Sequence, residues 1–299
     1  MELSCQGGEV EITQHSVRAN GLDIGYLACG DDGPLAVCLH GFPDTAHTWR
    51  HLLPRLADVG YRAVAPFLRG YAPTSVPADG EYGVGALAAD ALAFADALGG
   101  SPDDVLIGHD WGAFATYCAG AFAPDRFRRY VTMAVPPTAA TMATFFTYAQ
   151  LKRSFYVMLF QTPLAEAAVP MDDFAFLAGL WSDWSPTYDG SDDVAHVKDA
   201  LREPERTAAA IGYYRAMLQP DRNGPTYAAQ QAMAAAVPPR PFLYLHGTND
   251  GALAAPPRDD IVANLAPGSR VELLDGAGHF LHLEQPKVVN DLVIEWLTA

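Results

Sequence analysis

The chain has 299 residues, half of them apolar and 18% charged, a composition that excludes a disordered protein and a mini-protein held only by disulfides. Acidic residues number 35 against 19 lysines and arginines, and the net charge of -16 argues against nucleic acid and anionic membrane as partners. The four cysteines, Cys5, Cys29, Cys38 and Cys118, show no C-x-x-C spacing and read as small core residues in a reducing, cytoplasmic compartment.

In chain order, MELSCQGGEVEITQ carries acids and no apolar run where a signal peptide needs basic residues and an apolar stretch. Strand-like pieces follow closely: EVEI from Glu9, SVRAN from Ser16, LDIGYLAC from Leu22 and LAVCL from Leu35, with Gly30-Asp31-Asp32-Gly33-Pro34 as a turn. This spacing predicts an antiparallel start to a sheet. From Leu35 the pattern changes to strand, loop, helix. LAVCL precedes a helix near Thr45 to Val59, YRAVAP from Tyr61 a helix near Gly85 to Leu98, and DVLIG from Asp104 a helix from Trp111 to Phe122, before YVTMA from Tyr130. Short apolar strands alternating with amphipathic helices predict a parallel, doubly wound sheet covered on both faces. The longest apolar run, Ala113 to Ala123, is about half of what a bilayer span needs.

From about Pro136 to Val237 the strand pattern stops, and helical pieces rich in Phe, Tyr, Met and Ala are punctuated by prolines. Residues 136–237 therefore read as a helical insertion. Strands resume with PFLYLH from Phe242 and RVELL from Arg270, ahead of a last helix from Glu284 to Leu297. The sheet domain is thus expected from 1–135 and 238–299 together.

In Gly108-His109-Asp110-Trp111-Gly112 a strand ends, a helix begins, and small residues flank the central position. Such a turn pushes its middle side chain out at the carboxyl edge of the sheet, where parallel α/β sheets bind ligands. Taken alone, Asp110 serves equally well as a helix cap. Two further loops change that. PFLYLH runs into Gly247-Thr248-Asn249-Asp250-Gly251 and RVELL into Asp275-Gly276-Ala277-Gly278-His279-Phe280, so a second acid and a histidine follow strands in chain order.

With these motifs the chain resembles the α/β-hydrolases over almost its full length, and the order Asp110, Asp250, His279 matches that family's nucleophile, acid and base. The resemblance implies an α/β-hydrolase fold, with the helical cap inserted between the sixth and seventh strands. An Asp in the nucleophile position disfavours acyl transfer: attack on an sp3 carbon leaves an alkyl ester whose carbonyl belongs to the enzyme. An epoxide or a carbon-halogen bond is then the expected electrophile. By resemblance the oxyanion donors are the backbone N–H groups of Trp111 and of Phe42 in His40-Gly41-Phe42-Pro43.

Epoxide opening calls for an acid opposite Asp110. The chain resembles epoxide hydrolases in Tyr156 five places before Gln161 and in Tyr214 directly before Arg215, with Tyr213 as the alternative to Tyr214. Haloalkane dehalogenases of this fold carry Asn where this chain has Phe42, and fluoroacetate dehalogenases carry Arg where it has Trp111. The expected activity is thus epoxide hydrolysis to a vicinal diol, with haloalkane dehalogenation as the alternative and a non-catalytic binding protein on the same fold as a third reading. Phe42, Trp111, Phe145, Phe146, Met158, Leu180, Trp181 and Met217 are the expected pocket lining for an apolar epoxide, which reacts with water. His47 and His51 lack the Glu of H-E-x-x-H, no phosphate-binding glycine motif follows a strand, and neither metal nor cofactor is expected. His109 reads as a packing neighbour and Arg69-Gly70-Tyr71 as a structural loop. Oligomeric state is not set, and a homodimer stays open.

Overall fold

The computed structural model describes residues 11–299. Cys5, and the first half of the strand expected from Glu9, lie outside the described residues. β1 (Thr13–Ala19) and β2 (Leu22–Cys29) form an antiparallel hairpin closed by Asn20-Gly21, both at positive φ (45° and 76°). Asn-Gly meets the requirement of a tight hairpin turn for two such residues.

β3 (Leu35–Leu39), β4 (Arg62–Pro66), β5 (Val105–His109), β6 (Arg129–Met133), β7 (Phe242–Gly247) and β8 (Arg270–Leu274) complete an eight-stranded sheet of order β1-β2-β4-β3-β5-β6-β7-β8. β2 pairs antiparallel with β4, and every pair from β4 to β8 is parallel. β3, β5 and β7 are buried at every residue, the reason they read as unbroken apolar runs rather than alternating ones. The chain runs outward one way from β3 to β4 and the other way from β3 to β5. The crevice at that switch point, outside the carboxyl ends of the strands, is where an open α/β sheet takes ligands.

Prolines reset two helices. The single helix expected near Thr45 to Val59 is a 3-10 turn, Ala46–His51, followed by a separate helix, Leu53–Asp58, because Pro54 has no N–H to continue the ladder. The last helix, expected from Glu284 to Leu297, is Pro286–Thr298 with Pro286 at its first position, and a separate short helix, Leu281–Glu284, precedes it. A short helix at Arg258–Val262, between β7 and β8, had no sequence signal strong enough to predict it. The helices Val84–Ala97 and Trp111–Phe122 match their expected positions within one residue and pack side by side. Between β6 and β7 the described chain carries helices, from Thr138–Phe145 through Met171–Trp184 and Pro204–Leu218 to Ala228–Gln231, and no strand. No helix among the described residues is long and apolar enough to cross a membrane.

Candidate active site

Asp110 stands between β5 and the helix Trp111–Phe122 with φ 51° and ψ -115°, a conformation an L-residue adopts only under strain of about 1–3 kcal/mol. Its side chain makes no cap bond to the helix. The capping role open from sequence is therefore not the one it plays. The bend is this tight because the helix start packs directly on the end of β3. A Cβ on Gly112 would run into the carbonyl oxygen of Leu39, and one on Gly41 would strike the Asp110 carboxylate itself.

Asp110 Oδ1 accepts the backbone N–H of Phe42 at 2.8 Å, and the N–H of Trp111 also faces the carboxyl. The other oxygen, Oδ2, lies 3.8 Å from His279 Nε2, which has no hydrogen-bond partner in the protein. His279 Nδ1 is 2.9 Å from Asp250 Oδ2, while Asp250 Oδ1 accepts the N–H groups of Ala252 (2.7 Å) and Leu253 (2.9 Å). Sequence reasoning missed His246, whose Nε2 lies 3.0 Å from the Leu253 carbonyl and 3.4 Å from Asp250 Oδ2. Its place at the end of β7, four residues before Asp250, was the available signal.

The two catalytic loops are tied to the helical insertion through one carbonyl. Trp184 O, at the end of Met171–Trp184, accepts the N–H of Gly251 at 3.1 Å and that of His279 at 3.0 Å. Ser185 Oγ accepts the Phe280 N–H, and Glu284 bridges Ser185 and the Gly278 N–H.

Burial pushes the Asp110 carboxyl above the usual range, against the opposing pull of His279 and the two amides. For His279 burial acts to lower the pKa, but the carboxylates of Asp250 and Asp110 outweigh it and the imidazole is raised. Asp250 is held below the usual carboxylate range because the attraction of His279 overcomes its own burial.

A cavity of about 270 Å³ opens over Asp110. Tyr156, on the helix Phe155–Leu159, and Tyr214, on Pro204–Leu218, both line it, with ring centroids 5.5 Å apart and near perpendicular. The Tyr214 hydroxyl has no hydrogen-bond partner among the described residues. Both phenols are raised above the ordinary value, first by burial; the negative charge of Asp110 comes next for Tyr156, and Tyr156 and then Asp110 come next for Tyr214. Tyr213 is outside the cavity: its hydroxyl donates to the Arg69 carbonyl at 2.7 Å.

Of the expected lining residues, Trp111, Phe145, Phe146 and Met217 border the cavity. Phe42, Met158, Leu180 and Trp181 do not. The Phe42 ring is enclosed by Tyr156, Phe160 and Tyr214, leaving only its backbone N–H to the site. Trp181 stacks on Phe280 and donates its indole N–H to the Pro43 carbonyl, while Leu180 is buried beside it and Met158 faces solvent. Thr138, Thr141 and Met142 were missed, although they sit seven, four and three residues before Phe145 on one helix face. Leu218 stands four after Tyr214 in the same way. Helical spacing from Phe145 and Tyr214 was the signal that finds them.

Asp44, His109 and His282, distant in sequence, bring one polar atom each to within 4.8 Å of one another.

A family model for the alpha/beta hydrolase fold matches residues 34–286. The chain is 30% identical to Epoxide hydrolase A of Mycobacterium tuberculosis (strain ATCC 25618 / H37Rv), over 96% of this chain and 98% of that one. It is also 30% identical to the AB hydrolase superfamily protein YfhM of Bacillus subtilis (strain 168), over 94% and 96%. Among solved structures, Epoxide Hydrolase A from Mycobacterium thermoresistibile superimposes with a TM-score of 0.79 at 29% identity, covering 97% of this chain and 99% of that one.

The packing at the bend makes a prediction. Gly112→Ala should cost about 1–3 kcal/mol through overpacking against β3, read from the urea midpoint; an unchanged midpoint would sink the close approach. Gly41→Ala should displace the Asp110 carboxylate and abolish activity while the circular dichroism spectrum is kept.

Proposed function

This chain belongs to the α/β-hydrolase fold family, and within it to the epoxide hydrolases; on that premise we propose that Asp110 opens an epoxide by direct attack and that His279 regenerates the enzyme by hydrolysing the resulting ester. The carrying observation is the division of labour at one carboxylate. Oδ1 accepts the Phe42 N–H, with the Trp111 N–H also facing the carboxyl, and Oδ2 lies on the side of the imidazole of a carboxyl that borders the cavity.

In the first half-reaction Oδ2 bonds to an epoxide carbon, the ring C–O bond breaks, and the oxygen takes a proton from Tyr156 or Tyr214. Burial keeps both phenols protonated at neutral pH, so a proton is present to give. In the second, water caught between His279 and the ester carbon passes a proton to Nε2 and adds to the carbonyl. The charge on Oδ1 meets the Phe42 N–H, already 2.8 Å from that oxygen, and the Trp111 N–H that faces the same carboxyl, donors of a kind worth about 10² to 10³ in rate each. Collapse expels the diol alkoxide, which takes the proton from the imidazolium, and the proton left on Asp110 returns to the tyrosinate. The helical residues 136–237 act in this reading as a lid over 1–135 and 238–299, since they supply both phenols.

Two phenols across the cavity favour an epoxide over a haloalkane, whose departing halide takes no proton. Among the described lining residues there is no Lys, Arg or His, and an apolar, uncharged substrate suits that wall. Cys38 and Cys118 as buried thiols support a reducing, cytoplasmic setting.

Alkylation changes the electrostatics of the base. Asp110 helps hold the proton on His279 while it is ionised, and as an ester it no longer does, so the imidazole becomes a weaker proton holder just when it must act as base. In the resting enzyme the His279 resonances should titrate above about 6.5, and the single-turnover rate of ester hydrolysis should rise through a lower apparent pKa than that. The reverse order would remove this coupling.

Assayed in parallel on aryl epoxides and haloalkanes, the protein should yield diol and no halide; halide without diol overturns the reading, and neither product from folded protein favours a binding protein. Asp110→Asn should form no adduct, whereas His279→Gln should accumulate substrate mass on Asp110, visible on the intact protein. Replacing both Tyr156 and Tyr214 by Phe should slow alkylation by about 10² or more. Tyr213→Phe should instead cost about 1 kcal/mol of stability with alkylation little changed.

A further inference from the structure

His246, on β7, takes no part in the reaction scheme, yet it is fully buried and approaches the same carboxylate as the base. Residues two apart on a strand share a face, and Tyr244 accordingly lies beside it, with its hydroxyl hydrogen-bonded to His246 Nδ1. On the other side of the ring, Nε2 is 3.0 Å from the Leu253 carbonyl oxygen and 3.4 Å from Asp250 Oδ2, the oxygen that His279 Nδ1 approaches at 2.9 Å. Two imidazoles therefore meet at one carboxylate oxygen.

The partners fix the hydrogens. The Leu253 carbonyl can only accept, so His246 carries a hydrogen on Nε2. A second hydrogen on Nδ1 would leave the Tyr244 hydroxyl proton, whose one hydrogen bond among the described residues is to His246, with no acceptor. Nδ1 is thus bare and takes that proton. Burial acts in the same direction, holding the imidazole below its ordinary value against the pull of Asp250. The ring is neutral, and Tyr244 sets its orientation from behind.

What the Nε2–H holds is the turn that carries the acid. Asp250 Oδ1 accepts the N–H groups of Ala252 and Leu253, which locks the carboxylate to Leu253, and His246 fastens Leu253 in turn by its carbonyl. Other side-chain ties to this turn come from the helical insertion: Gln150 bonds to the Ala252 carbonyl and the Ala254 N–H, and Arg153 donates to the Asp250 carbonyl. His246 supplies a tie from the sheet, and its 3.4 Å approach to Oδ2 adds a second, longer contact on the oxygen that His279 uses. We propose that His246, oriented by Tyr244, is a positioning residue for ester hydrolysis, holding the Asp250 turn, and with it Oδ2, in register with His279 Nδ1.

This role rests on Asp250 and His279 acting in ester hydrolysis as proposed above. Attack by Asp110 on the epoxide makes no use of Asp250, whereas activation of water needs the imidazole oriented. A change at His246 therefore separates the two half-reactions.

In the resting enzyme the His279 Nδ1–H should give a low-field proton NMR resonance, which His246→Leu should move upfield or broaden by exchange with water, and Tyr244→Phe should do so more weakly. In nitrogen NMR of histidine-labelled protein, the pair of resonances lost in His246→Leu should show a protonated Nε2 and a bare Nδ1 at neutral pH. A charged ring or the opposite tautomer overturns the assignment. In single turnover, His246→Leu should slow ester hydrolysis by about 10-fold to 10²-fold while alkylation stays within about twofold, so that adduct accumulates on Asp110. Tyr244→Phe, which removes only a hydroxyl and serves where His246→Leu does not fold, should slow the same step by about threefold or more. The double variant should be no slower than His246→Leu, because Tyr244 acts through His246; additive slowing overturns that link. Equal slowing of both half-reactions, or lower stability with the hydrolysis rate and the low-field resonance unchanged, reduces His246 to packing and overturns the proposal. The spectra need no turnover, so a wild type that gave neither adduct nor diol would remove the reaction while the resonances still decided the contact.

Discussion

Everything in the site follows from one residue being held where an L-amino acid does not want to be. At φ 51° the Asp110 backbone turns from β5 into its helix within a single residue, and the strain is met by packing on either side. Gly112 lets the helix start lie on the end of β3, and Gly41 leaves room for the carboxylate beside the oxyanion loop. In return, both oxygens have fixed and different surroundings. A relaxed turn would let the carboxylate cap the helix, and it would then be a structural group like many others.

The electrostatics build on that placement. Asp250 sits at the far end of the imidazole and accepts from two amides as well, so its charge is anchored and does not depend on His279 being protonated. Asp110 sits at the near end and, in the proposed reaction, loses its charge on alkylation. One fixed and one removable carboxylate give a base whose proton affinity falls on entry to the second half-reaction, with no part of the protein having to move. The 3.8 Å between Nε2 and Oδ2 is too long for a direct hydrogen bond, and in the ester it is the gap that a water must occupy.

Much of this was legible in the sequence because parallel α/β chemistry is written in strand ends. Asp110 and Asp250 each follow a buried apolar run and His279 follows the partly buried β8, and such strands are readable without knowing how they pair. The tyrosines came only through resemblance, since Tyr156 and Tyr214 differ from neighbouring cap aromatics in nothing that composition records. Tyr213 shows the difficulty: it is adjacent in sequence, yet turned to the Arg69 carbonyl. Lining residues failed for a related reason. Leu180 and Trp181 are apolar and in the cap, but whether a helix face meets a cavity or the core is decided by tertiary packing, here by Trp181 lying flat on Phe280. The Asp44, His109 and His282 group was invisible because its members come from a loop, a strand end and a short helix and share no spacing.

The helical insertion is part of the catalytic structure as well as its cover. Trp184 O holds the Asp250 and His279 loops by one carbonyl, Tyr156 and Tyr214 come from two other insertion helices, and Arg206 reaches back to the carbonyl of Thr74 at 2.7 Å. Sheet and insertion therefore share the job of fixing distances between nucleophile, base and acids. A change at the seam, far from any reacting atom, acts on the geometry of both half-reactions. The constraint also runs in the other direction: because the loops after β7 and β8 are bonded to the insertion, the cavity wall cannot swing away as a rigid lid without loosening the base. On the side of Thr138–Phe145, by contrast, Met142 and Phe146 are both exposed and line the cavity, so that wall is the one open to solvent.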